Sequence, residues 1–176
     1  MGSVKENKKI KVRNAVRGDL RAITSIYNYA VINTTVTFDT RPKTVKSREK
    51  WFGKHSGRYP IIVAEDKNAI IGWASLSQWS DRCAYGRTAE VSVYVDKNNQ
   101  GLGTGSLLMY GIVELARKNK LHTVIARIAG DNEASVHLHQ KYGFFNVGVL
   151  KEVGFKFNRY VDVRLMQLIL EENKED

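Results

Sequence analysis

The stretch that decides the reading is EVSVYVDKNNQGLGTGSLL, residues 90 to 108. Val91, Val93 and Val95 alternate with Ser92 and Tyr94, which is the period of a strand with one buried face. Glycines follow at 101, 103 and 105, and then Leu107, Leu108, Ile112, Leu115 and Ala116 recur at helical spacing from about Gly103 to Lys118. A strand therefore turns through a glycine-rich loop into a helix. Such a loop lets a ligand approach the backbone, and the helix start points unpaired N–H groups at it. This is an anion site, and phosphate is the anion it suits best. A glycine turn needed only for tight packing is the plainer alternative, but three glycines within five residues exceed what one turn requires.

Two common phosphate loops are excluded. No GxxxxGK[ST] occurs, and no lysine stands at the helix start. A dinucleotide fingerprint fails because Ser106 falls where its third glycine belongs, and because the loop follows three strands instead of opening a first βαβ unit. Those strands are Pro60 to Glu65, Ala69 to Ser77 and Ala89 to Asp96, with no helix between them, so hairpin-linked antiparallel pairing is expected.

Outward from this core, Lys11 to Val16 reads as a strand. Ile23, Ile26, Tyr27, Ala30 and Val31 mark a helix, Asn33 to Pro42 a loop, and Ser47 to Lys54 a short helix. Downstream come a strand at Thr123 to Ile128, a helix at Glu133 to Tyr142, and strands at Phe144 to Val149 and Tyr160 to Leu170. The order β-α-α-β-β-β-α-β-α-β-β predicts an α/β (α+β) domain: a mixed, mostly antiparallel sheet of about seven strands flanked by about four helices. With two prolines and no repeat or low-complexity tract, residues 1 to 176 are expected to form a single domain. Its basic end (1 to 8) and acidic tail (171 to 176) are expected to be mobile.

Composition agrees. The 176 residues are 43% apolar and 26% charged, ordinary for a globular protein. One cysteine, Cys83, excludes a disulfide framework, and the basic start lacks the apolar core of a secretory signal. No apolar run approaches a membrane span, so no membrane partner and a cytoplasmic location are expected. The net charge of +10 invites a nucleic-acid reading. Six basic residues against one acid in residues 1 to 17 supply half of it, and the rest are scattered, so no nucleic-acid partner is expected. His55, His122, His137 and His139 form no ligand set, so no metal is expected.

The V-x-V-x-V strand, then Gln100, Gly103 and Gly105 in Q-x-x-G-x-G, then a helix, resemble the acetyl-CoA motif of the GNAT superfamily of N-acetyltransferases. Asn132, Ser135, Leu138, His139, Lys141, Gly143 and Phe144 resemble its next motif. Further segments, among them IYNYAVINTTVTFDT (26 to 40) and EVGFKFNRYVDVRLMQL (152 to 168), resemble the phosphinothricin and methionine sulfoximine/sulfone acetyltransferases over nearly the whole chain.

The resemblance implies the GNAT fold, acetyl-CoA as co-substrate, and a homodimer with the segment 152 to 163 near the interface. It also implies transfer to the α-amine of a small amino-acid-like acceptor, directly in a ternary complex. A protein N-terminus, a lysine or a polyamine is the alternative acceptor. By resemblance, Val93, Tyr94 and Val95 pair with the pantetheine, and Gln100, Gly101, Leu102, Gly103, Thr104, Gly105 and Ser106 surround the pyrophosphate with Lys141 nearby. Asn132 meets the pantetheine arm or the reacting end. A tyrosine general acid of many members is replaced here by His139, which either protonates the thiolate or simply packs.

Amide formation from a thioester needs a neutral amine and hence a base. Glu90 shares its strand face with Ser92 and Tyr94 and matches the family's presumed base; an ion pair with Arg82 or Arg87 is the alternative. In general, desolvation raises a carboxyl pKa and a neighbouring arginine opposes it. Substrate contacts are expected from Phe38 and from the connection Trp79 to Arg87, namely Ser80, Asp81, Arg82, Tyr85 and Arg87, together with Glu90. Gly86 and Arg87 depart from the Arg-Trp usual in the resistance enzymes. Cys83 has no placed histidine partner, so no covalent intermediate is expected.

Overall fold

The computed structural model describes residues 10–55 and 57–171. Residues 1–8 and, apart from Glu171, the acidic tail lie outside the described residues, and so does the expectation that they are mobile. Seven strands form one sheet in the order β1-β2-β3-β4-β5-β7-β6. The strands are β1 (Lys11–Asn14), β2 (Ile61–Asp66), β3 (Ala69–Gln78), β4 (Thr88–Val95), β5 (Thr123–Ala129), β6 (Phe145–Lys156) and β7 (Arg159–Ile169). Four helices accompany them: α1 (Leu20–Asn33), α2 (Val45–Gly53), α3 (Thr104–Lys118) and α4 (Glu133–Lys141). Every neighbouring pair is antiparallel except β4 and β5, which run parallel.

The two apolar faces of the sheet explain the two sequence periods. Leu108, Met109 and Ile112 of α3 pack on Ala74, Val91 and Val124 from one side, with Val93 and Val95 at the edge of that cluster. From the other side, Ile23, Tyr27 and Val31 of α1 pack on Val63 and Trp73, with Tyr94 alongside. Alternation in β4 thus sends its valines to α3 and its polar positions to the α1–α2 side, as read from the sequence.

Tight hairpins join β2 to β3 and β6 to β7. Lys67 and Asn68 in one, and Phe157 and Asn158 in the other, all take positive φ (49°, 66°, 49° and 61°), the type I′ conformation that suits the right-handed twist of paired strands.

The largest departure from the sequence reading is β6, which runs to Lys156 instead of stopping near Val149. Its register against β7 shifts between Asn146 and Gly148 and again between Leu150 and Gly154, and Glu152 has φ 54°. Bulges break the period-2 pattern, so the second half did not read as a strand. The β3–β4 connection also departs: it contains a 3-10 turn at Cys83–Tyr85, with Cys83 exposed.

Candidate functional site

The site begins with a split in the sheet. One edge of β4 pairs with β3 along its length, from Gly72 opposite Val95 to Gln78 opposite Ala89. Its other edge pairs with β5 only from Thr88 to Glu90, while β5 continues against β7 as far as Ala129 opposite Val163. Beyond Glu90 the two strands part. The peptide groups of Val91 to Val95 on that edge have no strand partner among the described residues, so an extended ligand with amide groups can pair with them. A cleft of about 1050 Å³ follows the split, lined by Val93, Tyr94 and Val95 on one side and by Ala126 to Ala129 on the other.

At one end of the cleft lies the glycine loop. Gly103 stands at the N-cap of α3 with φ 84° and provides no side-chain cap, so the first-turn amides face outward without an internal acceptor. The Thr104 hydroxyl donates to the Asn99 carbonyl at 3.3 Å and is buried, which fixes the loop. Lys141 Nζ donates to Ser106 Oγ at 3.2 Å and Tyr142 Oη to the Ser106 carbonyl at 2.7 Å, so α4 brings a cation beside the start of α3. Gln100, Gly101 and Gly105 line the cleft; Leu102, Gly103, Thr104, Ser106 and Lys141 surround its end without lining it. Asn132 caps α4 by accepting from Ser135 N at 3.1 Å and lines the cleft. An N-terminal helix dipole, uncapped amides and a lysine fit a pyrophosphate.

Glu90 sits where the strands part, opposite Ser77 in the ladder. Its carboxylate accepts two hydrogen bonds from Arg127, from Nε at 2.8 Å and from Nη2 at 2.7 Å. The arginine paired with Glu90 is therefore Arg127 of β5, not Arg82 or Arg87. Arg127 was missed because its approach to Glu90 is set by strand pairing across 37 residues of chain. The available signal was a lone cation in an otherwise apolar strand.

Around Glu90, on the α1–α2 side, the cleft is aromatic. Trp73 stacks on Tyr94 with ring centres 4.8 Å apart, and Trp51 meets Trp73 edge-on at 5.5 Å. Arg48 lies over the Trp51 ring at 3.7 Å. Phe38 lines the cleft, with its ring laid on the backbone of Gly154, where any β-carbon would collide with it. Lys156 Nζ donates to the Thr37 carbonyl at 2.8 Å, pinning the same segment to β6.

Ser80, Asp81, Arg82, Tyr85 and Arg87 are not brought to the cleft. Ser80 Oγ faces the Arg82 amide at 3.4 Å, Arg82, Asp81 and Tyr85 are exposed, and the Arg87 Nε donates to the Lys120 carbonyl at 3.1 Å. The 3-10 turn at Cys83–Tyr85 turns this connection outward, and Arg87 is drawn to the loop after α3.

His139 lines the cleft but is 5% exposed, and its ring meets Phe144 edge-on at 5.0 Å. Nδ1 lies 2.7 Å from the Ser135 carbonyl, which can only accept, so the proton is on Nδ1. Burial pushes the pKa below the ordinary histidine value, which leaves Nε2 unprotonated at neutral pH. Of the two roles weighed for His139, this geometry favours packing.

Comparison with known proteins bears on the same features. The family model described as an acetyltransferase (GNAT) domain matches residues 12–165. The chain belongs to the GNAT acetyltransferases. This GNAT chain is 40% identical to a phosphinothricin N-acetyltransferase of Streptomyces coelicolor, covering 88% of this chain and 92% of the relative. It is 38% identical to an L-methionine sulfoximine/L-methionine sulfone acetyltransferase of Pseudomonas aeruginosa, covering 91% and 94%. A solved GNAT phosphinothricin acetyltransferase from Sinorhizobium meliloti, in complex with AcCoA, superposes with a TM-score of 0.90 at 34% identity, covering 95% of this chain and 91% of that one. The protein is an acetyl-CoA-dependent N-acetyltransferase with the GNAT fold. No helix among the described residues is long and apolar enough to cross a membrane, and no three His, Cys, Asp or Glu side chains among them gather as a metal set.

Proposed function

We propose that this acetyltransferase acetylates the α-amine of a small amino-acid-like acceptor, such as phosphinothricin, methionine sulfoximine or methionine sulfone, directly within a ternary complex. The observation that carries this reading is the position of Glu90, at the point where the unpaired β4 edge meets the aromatic pocket. Bound acetyl-CoA supplies the acetyl group as a thioester. The β4 edge from Val93 to Val95 and the Asn132 side chain hold its arm, and the amides of Gly101 to Ser106, with Lys141, hold its phosphates. Glu90, directly or through one water, takes the proton of the acceptor ammonium, and Arg127 fixes the carboxylate orientation. Phe38 and the Trp73–Tyr94 stack enclose the acceptor side chain.

The test compares kcat/KM, read by free-thiol release, for those three acceptors, ordinary amino acids, a peptide N-terminus, a lysine peptide and a polyamine. The amino-acid-like acceptors should lead by at least about tenfold, on the order of 1.4 kcal/mol. A lead by the peptide or the polyamine would overturn the reading.

We further propose a homodimer formed through β6. This edge strand exposes Phe145, Val147, Val149, Val153 and Phe155, apolar side chains a monomer has reason to cover. Leu150 and Val153 also line the cleft, so the proposed interface would adjoin it. Sedimentation at twice the chain mass is expected; a monomer at micromolar concentration would refute it. A cytoplasmic location completes the proposal, since acetyl-CoA must be at hand.

A further inference from the structure

Two side chains of the cleft carry buried donors with nothing to donate to. Arg48 is 8% exposed and Trp73 1% exposed, yet Arg48 Nε and Nη2 and Trp73 Nε1 have no hydrogen-bond partner among the described residues. Those three are the buried side-chain polar atoms so left, and all belong to residues lining one cleft and packed on each other, with Arg48 Cζ 5.2 Å from the Trp73 ring centre. Native structures rarely leave buried donors unmet, and less often a buried charge.

No carboxylate among the described residues hydrogen-bonds the guanidinium, although the field of Asp39 reaches it. Asp39 is committed elsewhere: Oδ1 pairs with Lys43 Nζ at 2.8 Å, and Oδ2 accepts from Tyr27 at 2.6 Å. Burial pushes the phenols of Tyr27 and Tyr94 up, Tyr94 to about 12, so both stay neutral. Aromatic faces support the cation, with Tyr27 at 4.6 Å and Trp51 at 3.7 Å from Arg48 Cζ, but they offer no acceptor atoms in the plane of the fork. A planar guanidinium edge plus an indole N–H matches a two-oxygen anion.

We infer that Arg48 and Trp73 form the subsite for an oxyanion of the acceptor, on the same side of the sheet as Glu90. This rests on the acceptor class proposed above and sharpens it, because an amino acid whose ammonium faces Glu90 carries its own oxyanion within a few bonds. By sequence alone Arg48 looks solvated, because α2 is a short helix of polar composition. The same subsite disfavours polyamines, whose second cation would face Arg48.

The experiment compares wild type with Arg48→Met, which keeps the length of the side chain and removes the donors. Three acceptors separate the sources of the anion: methionine sulfone, whose only anion is its carboxylate; methionine sulfone carboxamide, which has none; and 3-aminopropyl(methyl)phosphinate, whose only anion is the phosphinate. In the variant, kcat/KM should fall about 30- to 100-fold for the acceptor whose oxyanion occupies the subsite, and less than about threefold for the carboxamide. Loss with methionine sulfone assigns the carboxylate, and loss with the phosphinate alone assigns that head group; either supports the subsite. An equal loss for all three, or no loss for any, would overturn it. The variant should melt no lower than wild type, since it removes a buried guanidinium whose Nε and Nη2 lack acceptors; a lower melting temperature with a uniform loss would mark Arg48 as a packing residue only. Failure of the broader reading looks different, because wild-type enzyme would then prefer peptide or polyamine acceptors.

Discussion

Replacing Glu90 by glutamine is expected to lower kcat for acetyl transfer by roughly 10²- to 10⁴-fold, the range for loss of a positioned general base. Acetyl-CoA affinity should stay within about twofold, because the contacts proposed for it, the β4 edge, the glycine loop, Asn132 and Lys141, do not include the Glu90 side chain. The amide preserves the volume of the side chain, and its oxygen can still accept one of the two bonds from Arg127, so the fold should hold although the second N–H of Arg127 must find water. What the variant lacks is the basic oxygen at the parting of β4 and β5. Rapid-mix kinetics and equilibrium titration of acetyl-CoA separate the two effects. A variant with wild-type kcat across about pH 6 to 9 would remove Glu90 from the chemistry.

The second large effect is expected at Gly105. Placing aspartate there should weaken acetyl-CoA binding by about 100-fold, equivalent to about 2.7 kcal/mol, without lowering the melting temperature. A carboxylate in the first turn of α3 favours the free helix, whose N-terminus has no side-chain cap, and repels the pyrophosphate. Space permits the change: a β-carbon at Gly105 meets Leu138 Cδ2 at 3.4 Å and Val95 Cγ2 at 3.8 Å, ordinary contact distances. Gly105→Ala serves as the steric control and should bind nearly as well as wild type. Equal affinity of the aspartate variant in a calorimetric titration would mean that the phosphates lie elsewhere.

The features behind these two predictions were legible in the sequence because they are local. Alternation in residues 90 to 95 put Glu90 and Tyr94 on one face, and three close glycines marked the turn into α3. Element order emerged for the same reason, since α1 and α3 declare their buried stripes within a few turns. What stayed hidden depends on distant partners. Register shifts in β6 are set by β7, and the pairing of Glu90 with Arg127 by the brief parallel ladder of β4 and β5. The substrate connection misled the reading in the opposite sense. Its Arg82 and Arg87 have the right chemistry, but the turn at Cys83–Tyr85 keeps them outside, while Arg48, in a helix of polar composition, is carried into the aromatic pocket.

The overall positive charge gains a clearer meaning from this arrangement. Lys141 beside the start of α3, Arg127 on Glu90 and Arg48 over Trp51 are three cations at or next to one cleft. Acetyl-CoA is a polyanion and the proposed acceptors each carry a carboxylate, so this charge would attract the one as a whole and orient the other, while uncharged backbone amides shape the end beside α3.

The most direct test of the account is an initial-velocity study in which acetyl-CoA and methionine sulfone are varied together, with thiol release and N-acetylated product measured in the same samples. Direct transfer in the β4–β5 cleft predicts intersecting double-reciprocal lines and one N-acetyl product for each thiol released. Parallel lines with an acetylated protein trapped in the absence of acceptor, or thiol release without N-acetyl product, would contradict it.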